Sequence, residues 1–285
     1  MRYRRVGLVA KVTSREALRL ADALSRALTK AGAEVLFDVA TAARLSRPAG
    51  TATDKLARAA DLVLALGGDG TLLSVARTAP STTPVLGINV GRLGFLAGLK
   101  REEAIRRLPE VLSGEFRAEK RMRLDVEVRQ GSHCGSYLAL NDAVVHKEAL
   151  SRISSFSIAL DGKTAAEFRA DGVIVSTPTG STAYNLSAGG PILHPALPAM
   201  VVTPICPHTF SQRPLVVPAP MTVGIRVLDR ERREGVFLTL DGQEGFPIGR
   251  ETAVEVCASR SPVTLLRPPE DDHISALTEK LNWGT

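Results

Sequence analysis

The 285-residue sequence is short of most features that announce a function at once. Its three cysteines, Cys134, Cys206 and Cys257, lie far apart with no C-x-x-C pair, which excludes a disulfide framework and a cysteine-built metal or redox centre. Buried, reduced thiols are the expectation. Aromatic residues make up 4% of the chain, and none interleaves with the basic cluster Arg117, Lys120, Arg121 and Arg123 as a base-stacking platform requires. That cluster reads as a solvated face, and nucleic acid is not an expected partner. No apolar run approaches the ~20 residues needed to span a bilayer, and the run Val6 to Ala10 after the basic start is too short for a secretory signal. A soluble, cytoplasmic protein without a membrane partner is predicted. The five histidines show no metal-ligand spacing and no Ser-His-Asp order stands out, so neither a metal site built from side chains nor a hydrolase is expected. There is no G-x-x-x-x-G-K-[ST], and no G-x-G-x-x-G follows a strand, so both common nucleotide fingerprints are missing. Internal repeats and low-complexity segments are absent too.

What is present is an ordinary globular composition, 44% hydrophobic and 23% charged, in a chain long enough for one large domain or two ordinary ones. Lys and Arg exceed Asp and Glu by 36 to 30, a formal +6. An excess this mild suits phosphorylated small molecules as well as any polyanion.

Hydrophobic periodicity changes near residue 115. Val6–Ala10, Ala33–Phe37 and Pro84–Ile88 read as strands and Leu62–Leu66 as a buried one. Between them lie helical patterns, the first opened by Thr13-Ser14-Arg15-Glu16, a capping box with Thr13 as N-cap. Strand alternating with helix predicts a parallel sheet covered by helices. Glu102–Leu112 is a further helix that Pro109 ends or kinks. Beyond Gly114 the period becomes two. Met122, Leu124, Val126 and Val128 alternate with charged residues, and Tyr137–Val145, Phe156–Leu160, Val173–Ser176, Val223–Leu228, Val236–Leu240, Ala253–Val256 and Val263–Leu266 follow as short strands. Asp161-Gly162 and Asp241-Gly242 have hairpin-turn chemistry. The expected fold is therefore α/β plus all-β: a Rossmann-like domain over 1–115, a β-sandwich over 116–267, and a C-terminal helix within 268–285 returning to the first domain.

The most informative local feature is Gly67-Gly68-Asp69-Gly70-Thr71, placed between a buried strand and a helix expected from Leu72. Glycines let a ligand approach the backbone, and their N–H groups with the helix N-terminus favour phosphate. Asp69 is the odd member, because a carboxylate repels phosphate unless it binds Mg²⁺, positions a hydroxyl or accepts that hydroxyl's proton. An Asp69 that merely caps the helix is the plainer alternative. Gly87 to Leu96 adds three more glycines after the next strand, on the same sheet edge, where open α/β sheets bind ligands. In the β half, Asn141-Asp142 interrupts an apolar run with a pair able to grip a vicinal diol. Asp171 to Tyr184 carries a strand into a hydroxyl-rich turn and a helix start capped by Ser181 or Thr182, with Tyr184 either facing a base or filling the core. Asp241 to Gly245 reads as a plain hairpin turn. Arg152 and Arg169 stand a few residues from these constellations and could meet pyrophosphate.

In order and spacing, Gly67 to Thr71, Gly87 to Leu96, Asn141-Asp142 and Asp171 to Tyr184 with Gly189-Gly190-Pro191 resemble the NAD kinase family. The resemblance spans roughly residues 60 to 250. It implies phosphorylation of the 2′-hydroxyl of the adenosine ribose of NAD by ATP or polyphosphate with Mg²⁺, in a homo-oligomer, a dimer or tetramer. It implies Asp69 as general base, with Gly68, Gly70 and Thr71 near the nucleotide, and Asn141 and Asp142 on ribose. Phe95 and Thr182, Ala183, Tyr184, Asn185, Leu186 and Ser187 would contact adenosine, with Arg169 and Asp171 at the nicotinamide half. Arg152 and Gln243 are the remaining implied contacts. A lipid or sugar kinase with the same glycine turn would not need the Asp171 to Tyr184 block, and a silent NAD(P)-binding module would lose Asp69.

Overall fold

A computed structural model describes residues 1–91, 94–131, 133–148, 153–209, 211–228, 235–249 and 252–281. The chain divides into two compact units, Met1–Arg121 with Pro262–Thr285, and Met122–Ser261.

In the first unit, Leu62–Gly67 is buried at every position and lies between two parallel neighbours, Arg5–Ala10 and Val85–Asn89. Such uninterrupted apolar runs are what a parallel strand covered on both faces requires. Glu34–Phe37 extends the sheet beyond Arg5–Ala10. Helix Arg15–Lys30 lays Ala17, Ala21, Leu24 and Leu28 onto this sheet. Its cap is Ser14 rather than Thr13: the Ser14 hydroxyl accepts the Ala17 N–H at 3.2 Å, while Glu16 faces outward to Arg101 instead of closing a box. The expected helix over Glu102–Leu112 is two short ones, Arg101–Ala104 and Leu108–Ser113. Pro109 sits in the opening turn of the second, where its missing N–H costs nothing.

Two segments placed with the β half, the expected strand Val263–Leu266 and the basic cluster's Arg117–Arg121, form strands of this sheet instead. Val263–Arg267 pairs parallel to Val85–Asn89 through Leu265 and Val85, and antiparallel to Arg117–Arg121. The reason lies in burial: Leu265 and Leu266 are both buried, as in a strand covered on both faces, whereas Arg117–Arg121 is a charged edge strand. The basic cluster is correspondingly split. Arg117 and Lys120 are exposed, but Arg121 and Arg123 are buried, contrary to a solvated face. Arg121 pairs with Glu119 at 3.0 Å, and Arg123, 2% exposed, donates to the Ser261 carbonyl at 2.7 Å and hydroxyl at 2.8 Å. Helix His273–Leu281 follows, its first N–H groups accepted by the Asp272 carboxylate.

The second unit is a sandwich of two antiparallel sheets, six strands each among the described residues. Leu124, Val126, Phe156 and Val254 from one sheet share a core with Val145, Val173, Met200 and Leu238 from the other. The apolar run Tyr137–Val145 is two strands, not one. His133–Ala139 belongs to one sheet and Asp142–Lys147 to the other, so Leu140-Asn141 is the crossing between layers. Asp161 and Gly162, with φ of 47° and 79°, form the expected hairpin turn. Cys134 and Cys206 are exposed and Cys257 half-buried, so the thiols are not the buried set anticipated. Among the described residues, no helix is long and apolar enough to cross a membrane.

Candidate functional site

The glycine turn leaves strand Leu62–Gly67 and enters helix Asp69–Thr78 immediately, three residues before the expected start. Gly68 is the N-cap and no side chain caps the helix, which disposes of Asp69 as a plain cap. Its carboxylate instead accepts the backbone N–H of Phe95 at 2.8 Å and of Leu96 at 3.1 Å. The two glycine-bearing loops therefore meet at Asp69, as their shared sheet edge predicts. Gly94 makes this approach possible, since a methyl group there would overlap the Asp69 carboxylate. Gly68 and Gly70 are exposed beside it and Thr71 is half-buried, so the positive end of a ten-residue helix faces outward next to the carboxylate.

Phe95 is half-buried, with the Lys280 ammonium 4.6 Å from its ring centre, a cation–π distance. Burial pulls the Lys280 amine below its usual range, against the opposing pull of Asp69. Behind the loop, Arg267 donates to the carbonyls of Phe95 at 2.8 Å and Ala97 at 3.0 Å. Neither Lys280 nor Arg267 was found from sequence. For Lys280 the one signal is its place in the C-terminal helix expected to return to the first domain, and no local pattern marks Arg267.

In the second unit the Leu140-Asn141 crossing is clamped from two sides. The Asp241 carboxylate accepts the N–H groups of Leu140, Asn141 and Asp142 at 3.0, 2.7 and 3.1 Å. From the other side, Thr177 donates its N–H to the Asn141 carbonyl at 2.9 Å and its hydroxyl to that of Leu140 at 2.6 Å. The Asp241 turn, with φ of 53° at Asp241 and 61° at Gly242, is thus more than the plain hairpin expected. Asn141 Oδ1 is buried with no hydrogen-bond partner among the described residues, the state of an acceptor awaiting a donor. Asp142 is 4% exposed, and burial, with the charge of Asp241, pushes its carboxyl up to about 7.

The Asp171 to Tyr184 block ends in a short 3₁₀ turn, Gly180–Thr182, and a single helical turn, Tyr184–Ser187, neither with a side-chain cap, so Ser181 and Thr182 do not cap it. Ser181 instead ties the turn down, donating to the Pro178 carbonyl and accepting the Leu193 N–H. Tyr184 is 46% exposed rather than in the core. Its hydroxyl is shifted up by partial burial and by negative charge at Cys206, Asp142 and Asp171, which marks these groups as its electrostatic neighbours. Thr182, Ala183 and Leu186 are half-buried and Ser187 is exposed along the same turn. Asn185 differs: it is fully buried, its amide donating to the carbonyls of Ser181 and Pro191 and accepting from the Thr203 hydroxyl, so its side chain braces the turn. Asp171 lies 3.6 Å from Lys147, a partner not anticipated. Arg169 and Gln243 are exposed, and Arg152 lies outside the described residues. Among the described residues, no three His, Cys, Asp or Glu side chains converge as a metal cage.

A parallel α/β unit with an anion-receptive glycine turn around one carboxylate, joined to a sandwich presenting an orphan amide oxygen and an exposed tyrosine, defines a nucleotide-binding protein equipped for phosphoryl chemistry. Residues 6–116 match the ATP-NAD kinase N-terminal domain and residues 140–267 the ATP-NAD kinase C-terminal domain. The NAD kinase of Solibacter usitatus is 40% identical over 280 residues, 98% of this chain and 97% of that one. That of Syntrophotalea carbinolica is 40% identical over 288 residues, covering 99% of each. The chain belongs to the NAD kinase family. Yeast NADH kinase complexed with NADH superposes with a TM-score of 0.89 at 26% identity, over 99% of this chain and 88% of that one. The NAD kinase from Archaeoglobus fulgidus in complex with ATP shares the fold, with a TM-score of 0.78 at 24% identity over 98% of each chain.

Proposed function

We propose that this protein transfers the terminal phosphoryl group of ATP, or of polyphosphate, to the 2′-hydroxyl of the adenosine ribose of NAD, giving NADP. The observation that carries the mechanism is the Asp69 carboxylate held by two loop amides within a glycine turn. A carboxylate is too weak a base to ionise a sugar hydroxyl in advance. It can orient that hydroxyl and take its proton as the oxygen–phosphorus bond forms and the bond to the leaving phosphate breaks. The helix N-terminus and the exposed Gly68 and Gly70 backbone stabilise negative charge on the transferred group.

Mg²⁺ bound mainly by the donor's own phosphates and by water would neutralise charge on the donor, leaving the Asp69 carboxylate to take the proton. Asn141 and Asp142 take the ribose hydroxyls, the neutral form of Asp142 able to donate as well as accept. Tyr184 packs on adenine, and Arg169 and Asp171 serve the nicotinamide half in a homo-oligomer.

Purified protein supplied with NAD, ATP and Mg²⁺ should form NADP, read by an NADP-specific dehydrogenase, and Asp69→Asn should lower turnover by roughly 10²–10⁴ while sparing NAD binding. No NADP with either donor rejects the activity, and near-normal turnover in Asp69→Asn rejects the base.

A further inference from the structure

The backbone segment that holds Asp69 is itself held from behind by a buried cation. Arg267, 6% exposed, ends strand Val263–Arg267 and directs one arm of its guanidinium to the Phe95 carbonyl at 2.8 Å and the other to the Ala97 carbonyl at 3.0 Å. The second arm also meets the Asp271 carboxylate at 3.1 Å, and Glu119 lies 3.8 Å from Nε, so the charge is compensated where it stands. The N–H groups of the same stretch, at Phe95 and Leu96, point to the Asp69 carboxylate. Residues 95–97 are thus strung between the two side chains, carbonyls on the arginine and N–H groups on the aspartate.

We propose that Arg267 is a positioning residue for phosphoryl transfer, fixing the Asp69 carboxylate through the Phe95–Ala97 backbone. A planar fork is suited to this role. It restrains two carbonyls at a set spacing, which a lysine's single ammonium does not. The amides at 95 and 96 are then presented at a fixed place and angle, and Asp69 with them. Burial and paired charge mark a structural arginine as well, so the discriminating property is where the loss falls. A residue that acts by aiming the proton acceptor alters kcat and not KM, and its effect disappears once the acceptor is gone.

The inference rests on Asp69 as proton acceptor, and a double-mutant cycle separates the two claims. Arg267→Lys should lower kcat roughly 10- to 100-fold with the KM values for NAD and ATP within about threefold of the parent, because a misplacement of about 1 Å at a reacting group costs on that scale. In an Asp69→Asn background the same substitution should change the residual kcat less than about twofold. Arg267→Gln, two atoms shorter and uncharged, loses the fork and the charge and should show the same coupling at larger amplitude. A large loss in Asp69→Asn combined with an equal proportional loss from Arg267→Lys in both backgrounds overturns the positioning role alone. So does an unchanged kcat, a loss confined to KM, or failure of both Arg267 variants to fold, which would make the arginine a stability element. Near-normal turnover of Asp69→Asn by itself instead overturns the reading on which the inference rests.

Discussion

Asp241 and Asp142 are backbone neighbours beside the crossing between the two sandwich sheets, in unlike states. Asp241 is surrounded by three backbone N–H groups, while Asp142 beside it is buried with its carboxyl pushed up to about 7. Hydrogen bonds that stabilise one negative charge make a second, unsolvated one at the same place unfavourable.

A dependence of stability on pH follows. An unfolded chain releases an Asp proton near 3.9, whereas the folded chain keeps that of Asp142 to about 7. Between those values the folded state binds more protons, so the contribution is fully present below ~4 and is lost as pH rises through ~7. Asp142→Asn removes it. Urea midpoints measured at pH 5 and pH 8 should show the variant gaining on the parent at the higher pH, by no more than ~3 kcal/mol, the ~2 pH units between pH 5 and the folded value of about 7 counting ~1.4 kcal/mol each. Identical pH dependence in the two proteins would place the shift elsewhere.

Gly94→Ala tests the approach of the two loops. Its methyl group would occupy space held by the Asp69 carboxylate, so the carboxylate or the loop must give way. Turnover should fall by roughly 10- to 100-fold with KM for NAD little changed, as expected for misplacing a reacting group by about 1 Å. Steady-state kinetics beside a melting curve settle the matter, and an undiminished kcat would mean that the contact has no part in catalysis.

Tyr184 and Asn185 are chain neighbours with opposite predicted phenotypes. Removing the exposed ring by Tyr184→Ala should raise KM for NAD roughly tenfold, in keeping with ~1–3 kcal/mol per stacked base, and leave Tm almost unmoved. Asn185→Ala leaves the Ser181 and Pro191 carbonyls and the Thr203 hydroxyl without their partner in the interior. It should cost about 2–4 kcal/mol of stability, lowering Tm by several degrees, while folded protein binds NAD as the parent does. Calorimetry and NAD titration on both variants check the pair, and a binding defect in Asn185→Ala without loss of Tm would reverse its role.

Much of this was legible in the sequence because some physical signals are local. Leu62–Gly67 announces a doubly covered strand by carrying no polar side chain, the glycine turn announces itself by its place after that strand, and Asp161-Gly162 by a conformation few other dipeptides favour. The long-range supports were not legible. Arg267 and Asp241 are charged residues at strand ends, which in sequence look like solvated punctuation. Their partners lie 172 and 99–101 residues away, and no local period encodes that. The same limit placed Val263–Arg267 with the wrong sheet, since its short apolar pattern fits either and only the exposed flank of Val85–Asn89 decides between them.

That misassigned strand bears on synthesis at the ribosome. The sandwich, Met122–Ser261, is contiguous and has all of its strands once residue 261 has emerged, whereas the α/β sheet waits for Val263–Arg267 to insert between Val85–Asn89 and Arg117–Arg121. A nascent chain therefore carries an open sheet flank through the synthesis of 140 intervening residues, and the segment that closes it brings in Arg267. Incomplete translation products ending before that point would hold every recognisable motif and still lack the arginine behind the Phe95–Ala97 backbone.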